Sequence, residues 1–295
     1  MGQVWVVGEA LIDLVPGASG VVEAIVGGGP ANTAKALAGL GFSASFIGGI
    51  SSDEFGELIK AELRQAGVDL SLVKFSDLPT ATASVLLDGA GKASYKFTLD
   101  GTATFSFSKS WLPLGNPSVI HIGTLATIVE PAASELFEWI QGIGVPIVFD
   151  PNVRTSVLED LHKYCVMVEK WVGISSVVKV SEEDIASLYG NRDCVSVARK
   201  WINNGVGLVV ITRGENGLIG VTSESLVEVP GVPVEVVDTI GAGDTVGAIV
   251  VEAIVEHGLE ALKSERLTLV LERAAKAAAI TCSRAGAKPP TRDEL

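Results

Sequence analysis

Cysteine is scarce. Cys165, Cys194 and Cys282 are the only three among 295 residues, and they lie far apart without CxxC spacing. A disulfide framework or thiolate metal cluster is therefore not expected, and the reducing cytoplasm is the natural compartment. His121, His162 and His257 share no ligand spacing, so zinc is not expected either. Basic residues are outnumbered, with 22 Lys+Arg against 35 Asp+Glu and a formal charge of −13. No basic cluster with interleaved aromatics occurs, which argues against nucleic acid or an anionic membrane as a partner. Long apolar runs are lacking too. The longest uncharged stretch, Ser110–Val129, is broken by Pro113, Gly115, Asn116, Pro117 and His121. A membrane helix needs roughly 20 continuous apolar residues, so none is expected. The N-terminus has no basic region, and Glu9 and Asp13 interrupt its apolar stretch, so it does not read as a signal peptide.

Several catalytic signatures are also missing. There is no HExxH, no GxSxG and no Walker A, since Gly91-Lys92 is followed by Ala93. Gly39-Leu40-Gly41-Phe42-Ser43-Ala44 fits a dinucleotide fingerprint only in its letters. It follows a helical pattern and precedes a strand, the reverse of the order that pyrophosphate binding needs.

What is present is ample core material, with 47% apolar and 19% charged residues. Short β-branched runs at Val4–Gly8, Ala44–Gly48, Val119–Gly123, Val145–Asp150, Ser176–Val180 and Leu208–Thr212 read as strands. Between them, Ala31–Leu40, Asp53–Ala66, Pro131–Ile140, Val195–Asn203, Thr245–Glu256 and Leu267–Thr281 carry helical periodicity. Apolar strands alternating with helices predict an α/β fold, a doubly wound, mostly parallel sheet with helices on both faces. Val21–Val26 and Thr80–Leu99 break this rhythm, the latter reading as two strands around Asp88-Gly89-Ala90-Gly91. They predict a small β lid, from about 14–27 and 80–107, inserted into a single domain spanning 1–295. A sheet that small leaves apolar faces and edges to cover, which predicts pairing with a second copy.

Ligands of an open parallel sheet bind beyond the carboxyl ends of its strands. Glu9 and Asp13, Thr124, Asp150–Arg154, Lys179–Asp184 and Thr212–Gly217 all fall there. Taken singly, Asp150 or Ser181 could equally start a helix. Asp238-Thr239-Ile240-Gly241-Ala242-Gly243-Asp244 says more. It lies between a β-type segment, Pro233–Val237, and the helix opening near Thr245. Gly241, Ala242 and Gly243 let backbone N–H groups converge at a helix N-terminus, a geometry suited to phosphate oxygens. Asp244 then stands in the first turn, where it could take a proton from an attacking hydroxyl. The plainer alternative is a Gly-rich turn with Asp244 as a cap. Gly27-Gly28-Gly29-Pro30-Ala31-Asn32 is a second cluster, permitting close backbone approach to a ligand, with Asn32 as a donor. It would serve equally as a lid hinge.

Together these clusters resemble the two signatures of the ribokinase-like, or PfkB, carbohydrate kinases. Asp238–Asp244 is similar to the family's DTxGAGD motif, and Gly27–Asn32 with Ala36, Leu37 and Gly41 to its N-terminal motif. The likeness runs from Gly8 to about Pro290. It implies transfer of phosphate from ATP to a sugar hydroxyl, with Asp244 as base and Gly241, Ala242 and Gly243 as the anion hole. Asp13, Gly28 and Asn32 would hold sugar hydroxyls, and Phe97 would cover the sugar from the lid. Gly8–Asp13, Asp150–Arg154 and Lys179–Ser181 resemble the fructokinase branch. Arg154 would equally suit the carboxylate of 2-keto-3-deoxygluconate; ribokinase, nucleoside kinase and a catalytically inactive sugar-binding regulator are further readings. By the same resemblance, Thr212, Gly214 and Gly217 match the nucleotide loop. Ser181 and Asp184 stand where the family's Asn-x-x-Glu arranges Mg²⁺-bound water, and both depart from its commonest residues. Asp238, Thr281, Arg284 and Gly286 lie where relatives place a loop for a monovalent cation such as K⁺. A homodimer through the lid is implied as well.

Overall fold

The computed structural model describes residues 2–16, 21–87 and 93–295. The predicted turn Asp88–Gly91 and residues 17–20 of the predicted lid lie outside them. In chain order the elements begin with β1 (Val4–Val7), β2 (Leu11–Pro16), β3 (Val22–Gly27), α1 (Gly29–Gly39), β4 (Ala44–Ile47) and β5 (Gly49–Ser51). Next come α2 (Glu54–Gln65), β6 (Lys74–Ser76), β7 (Thr82–Leu87), β8 (Ala93–Thr98), β9 (Val119–Gly123), α3 (Ala132–Ile140) and β10 (Ile147–Asp150). Then follow α4 (Leu161–Val172), β11 (Val177–Ser181), α5 (Glu182–Tyr189), α6 (Cys194–Asn203) and β12 (Leu208–Thr212). The chain continues through β13 (Leu218–Val221), β14 (Leu226–Val229), α7 (Ala242–His257) and α8 (Ser264–Cys282).

The main sheet runs β4-β1-β9-β10-β11-β12-β13-β14, parallel through β12 and antiparallel over the last two strands. Strand order reverses beside β1, which lies between β4 and β9, so a crevice opens beyond the ends of β1 and β9. The two-residue period of the strands sorts the core into two layers. Val4, Val6, Val148, Val177 and Val210 face one cluster with α1, α2, α7 and α8. Trp5, Val7, Ile122, Phe149 and Ile211 face the other with α3, α4 and α6. On the first layer, Arg292 ties helices together. Its Nε donates to the Leu40 carbonyl at the end of α1, and its guanidinium reaches Glu252 and Glu256 on α7.

A second sheet, β3-β2-β7-β8, stands apart from the first. It corrects the expected appendage in one respect: its strand β2 starts at Leu11, so Leu11–Asp13 belong to it rather than to a loop after β1. The expected β-type segment Pro233–Val237 is not a strand. Its alternating valines are exposed because no neighbouring strand or helix covers them: Val234, Val236 and Val237 all stand open to solvent. Helix α4 and the hairpin β13–β14 were not expected. The sequence of α4, LHKYCVMVEKWV, buries only Tyr164, Val168, Trp171 and Val172, with Val166 left outside.

Candidate active site

Two helix N-termini meet at the crevice. The first is that of α1, whose N-cap Gly28 has φ +106°, and a Cβ there would lie 2.5 Å from the Glu9 carbonyl oxygen. Only glycine fits both the angle and the space. The second is that of α7, capped by Gly241 at φ +81°. Each terminus leaves backbone N–H groups without helical partners and a positive dipole end. They meet through side chains: Asn32 Nδ2 donates to Asp244 Oδ2 at 2.9 Å. A Cβ at Gly29 would lie 2.8 Å from Thr124 Oγ1 and 3.2 Å from Asp244 Oδ1. Asp244 is buried, and burial pushes its carboxyl up to about 6, with the Lys179 ammonium pulling the other way and Asp150 pushing further up.

The second sheet borders the same place. Register aligns Ile25, Asp13, Ala83 and Phe97 in one row, so their side chains share a face. The Asp13 carboxylate lies against Gly27, where a Cβ would come within 2.2 Å of Oδ2. Burial raises Asp13 to about 6 against the pull of Arg154. Glu9, wholly buried, accepts from the Ala126 N–H at 3.1 Å and is raised by burial to about 7. Arg154 turns Nη1 onto the carbonyls of Asn152 and Val153, while its backbone N–H donates to Tyr164 Oη at 2.9 Å. It forms no ion pair among the described residues, though its charge reaches Glu9, Asp13 and Asp244. Asn152 beside it has φ +37°, a strained angle of the kind that gathers at functional sites.

Beneath α7, Lys179 Nζ pairs with Asp150 Oδ2 at 2.6 Å, both side chains buried. His121 is buried nearby with neither ring nitrogen bonded, and burial with the Lys179 charge lowers it to about 3. Ser181 caps α5, accepting from the Asp184 N–H at 3.0 Å, and Asp184 returns the bond to the Ser181 N–H. The other Asp184 oxygen accepts from the Val153 N–H at 2.7 Å, tying β11 to the Arg154 loop.

On the far side of the α7 turn, Thr212 ends β12, and Gly214 and Gly217 take positive φ in the following turn. A Cβ at Gly217 would lie 2.1 Å from the Val229 carbonyl, so this turn packs on the start of the exposed valine segment. Asp238 accepts from Gly286 N at 2.8 Å and from Ile240 N. The Thr281 hydroxyl is buried, donating to Ala277 O and bonding Thr245, while its carbonyl accepts from the Arg284 N–H. Arg284 points to Glu294 and the carbonyls of Lys288 and Pro289.

Sequence reasoning placed Glu9, Thr124, Asp150 and Lys179 at the ligand edge without giving any of them a role, and it gave none to His121. The signal was there for Lys179 and His121, each a polar residue in the middle of an otherwise apolar strand. A groove of about 430 Å³ lies elsewhere, between α4, α5 and α6, and contains none of the candidate residues. Among the described residues no three His, Cys, Asp or Glu side chains could jointly hold a metal. A divalent ion carried on phosphate oxygens, with a protein carboxylate reached through water, remains compatible with such a donor set.

No helix among the described residues is long and apolar enough to cross a membrane. The chain is 30% identical over 301 residues to a fructokinase of Klebsiella pneumoniae, covering 100% of this chain and 98% of the relative. It is 36% identical over 253 residues to a fructokinase of Rhizobium leguminosarum bv. trifolii, covering 82% and 76%. The fold matches the crystal structure of a Vibrio cholerae fructokinase bound to fructose, ADP and calcium, with TM-score 0.86, 28% identity, and 97% and 94% coverage. It also matches aminoimidazole riboside kinase of Salmonella enterica at TM-score 0.84 and 22% identity, covering 99% and 96%, a likeness of fold alone. The model of the pfkB family of carbohydrate kinases matches residues 1–294, and this chain belongs to that family.

Proposed function

We propose that this carbohydrate kinase is a fructokinase, transferring the γ-phosphoryl group of ATP to a hydroxyl of fructose. The observation that carries the reading is the meeting of Asp244 and Asn32 at two opposed helix N-termini, in a chain whose relatives over its full length are fructokinases. A base works best when its pKa approaches the working pH. Asp244, raised to about 6 by burial, is ionised at pH 7 yet more basic than a surface carboxylate. It accepts the proton of the attacking hydroxyl while Asn32 fixes its orientation. The N–H groups of Gly241 and Gly243 face the developing charge on the transferred phosphoryl group, and that of Ala242 joins them by exchanging the Thr239 carbonyl, its acceptor at 3.3 Å, for a phosphate oxygen; backbone dipoles take this role because the chain as a whole is anionic.

Asp13, Gly28, Asn32 and Arg154 hold the sugar, and Phe97, on the same sheet face as Asp13, closes over it. Thr212, Gly214 and Gly217 receive the nucleotide, whose base covers the exposed valines before Asp238. Mg²⁺ on the triphosphate neutralises the β- and γ-oxygens when bound. Asp184 with Ser181 would hold that ion through water, and the two bonds of Asp184 to backbone N–H groups fix its direction. Asp238 and the backbone near Thr281, Arg284 and Gly286 form a loop that would take K⁺. The domain is single, 1–295, with the second sheet as an inserted lid. Val22 stands exposed at the start of β3, on the face opposite Asp13 and Phe97, and two copies pair through that face. The protein works in the cytoplasm.

One observation favours a second reading. The Arg154 guanidinium bears no ion pair and would suit the carboxylate of 2-keto-3-deoxygluconate. Coupled ADP-release assays over hexoses, pentoses, keto-acids and ribosides decide between them. Fructose should give the highest kcat/KM; a tenfold advantage for the keto-acid, about 1.4 kcal/mol of transition-state binding, gives the second reading. No turnover with any sugar, together with sugar binding by calorimetry, would make the chain a sensor.

A further inference from the structure

The face of the main sheet beneath α7 carries polar side chains on three central strands, β9, β10 and β11. Register places His121 opposite Val148, and Val148 opposite Val177. Asp150 and Lys179 lie two residues further along their strands, so all three polar side chains point to the same face. Helix α7 crosses above them. A Cβ at Gly243 would lie 3.1 Å from Lys179 Nζ, and one at Gly247 would lie 3.3 Å from His121 Nε2. These two glycines are one helical turn apart, so α7 has no side chain at the two positions that sit over polar groups. Asp244 follows Gly243 directly.

Stability does not account for this arrangement. A buried ion pair is typically worth no more than apolar residues of the same volume. A buried imidazole without a partner costs its full desolvation, and Asp150 Oδ1 is also unbonded. We propose that Lys179 is a positioning residue of the reaction: fixed by Asp150 beneath Gly243, its ammonium holds Asp244 in the ionised, proton-accepting form. His121 stays neutral across the working pH range and fills the space beside the ammonium without adding a competing charge. The charged groups facing Asp244 are Lys179 from β11, Asp150 from β10 and Arg154 from the following loop. Asp184 on α5 acts on the same ammonium, and the Asp244 charge itself stabilises it.

Lys179 and Asp150 act on Asp244 with opposite signs, and that gives the test. The inference rests on Asp244 being the base, so Asp244→Asn is measured alongside. In the wild type, the acidic limb of kcat/KM against pH reports the free enzyme's essential carboxylate. Lys179→Met should move that limb up by about one pH unit or more, with about a fivefold loss at pH 6 that largely disappears at pH 8.5. Asp150→Asn should move it down, and Lys179→Arg should restore the wild-type position. If Lys179→Met does not fold, as judged by circular dichroism, the double variant Lys179→Met/Asp150→Asn removes both charges and should still raise the limb. A limb unmoved in Lys179→Met or in the double variant, or displaced the same way by both single variants, overturns the inference. Activity retained by Asp244→Asn would instead overturn the reading of the base.

Discussion

The proposed base Asp244 combines three circumstances that a single substitution can separate: burial, a helix dipole and the bond from Asn32. Asp244→Asn is nearly isosteric and keeps a hydrogen bond to Asn32, but it cannot accept a proton. Its kcat should fall by about 10²–10⁴-fold, with ATP affinity by calorimetry little changed, because the anion-binding N–H groups belong to the backbone. More than about a tenth of wild-type kcat remaining would make Asp244 only a cap. Glu9 gives a second residue-scale prediction. Its folded pKa, about 7, lies above the ordinary carboxylate value, so the folded state holds its proton longer than the unfolded chain does. The stability this contributes is complete below the unfolded value and is lost as pH rises through 7. Glu9→Gln keeps an acceptor for Ala126 N–H and removes the titration. Its Tm relative to wild type should therefore rise between pH 5 and 8, by up to roughly 3 kcal/mol in stability; a flat difference would contradict it. At this scale the sequence was most informative where glycine and aspartate fall together, as at Gly241–Asp244. It was least informative where function lies inside a strand, as at Lys179, because an apolar run hides which of its members faces a helix terminus.

Helix α7 shows how one element divides its work between its ends. Both caps, Gly241 and Gly258, have positive φ, yet a Cβ at Gly241 would strike Ala287 Cβ at 2.7 Å while one at Gly258 meets nothing within 4 Å. Gly258, at φ 76° and ψ 152°, lies where essentially only glycine is at ease, so Gly258→Ala should cost about 1–3 kcal/mol of backbone strain and leave ATP binding unchanged. Gly241→Ala must displace the turn as well, and should weaken ATP binding by about tenfold or more; equal nucleotide affinities in the two variants would refute the role of that turn. The apolar runs and helical segments of the sequence revealed all six parallel strands and both helices of the site, since each is an apolar stretch bounded by glycine or polar residues. Periodicity misread Pro233–Val237, whose alternating valines are exposed and form no strand. It also passed over α4, whose exposed Val166 and half-buried Cys165 blur the apolar stripe.

For the molecule as a whole, the question is what covers the second sheet. Four of the six residues of β3 are exposed, with Val22 and Ile25 among them, and a sheet of four short strands has little core of its own. Light scattering at micromolar concentration should therefore give the mass of two chains; a monomer would count against pairing through this surface.

Strands β9 and β10 are buried at every residue, with hydrogen-bonded strands on both sides and a packed layer on each face. Their amide protons have no route to deuterium short of unfolding the whole molecule, whereas those at the outer end of β3 need only a local opening. The proposed sugar site spans both extremes, from Arg154 in the loop after β10 to Asp13 on β2. Fructose should thus slow deuterium uptake in β2 and β3 severalfold while leaving β9 and β10 at their global limit, so that substrate occupancy is recorded in the least protected part of the chain.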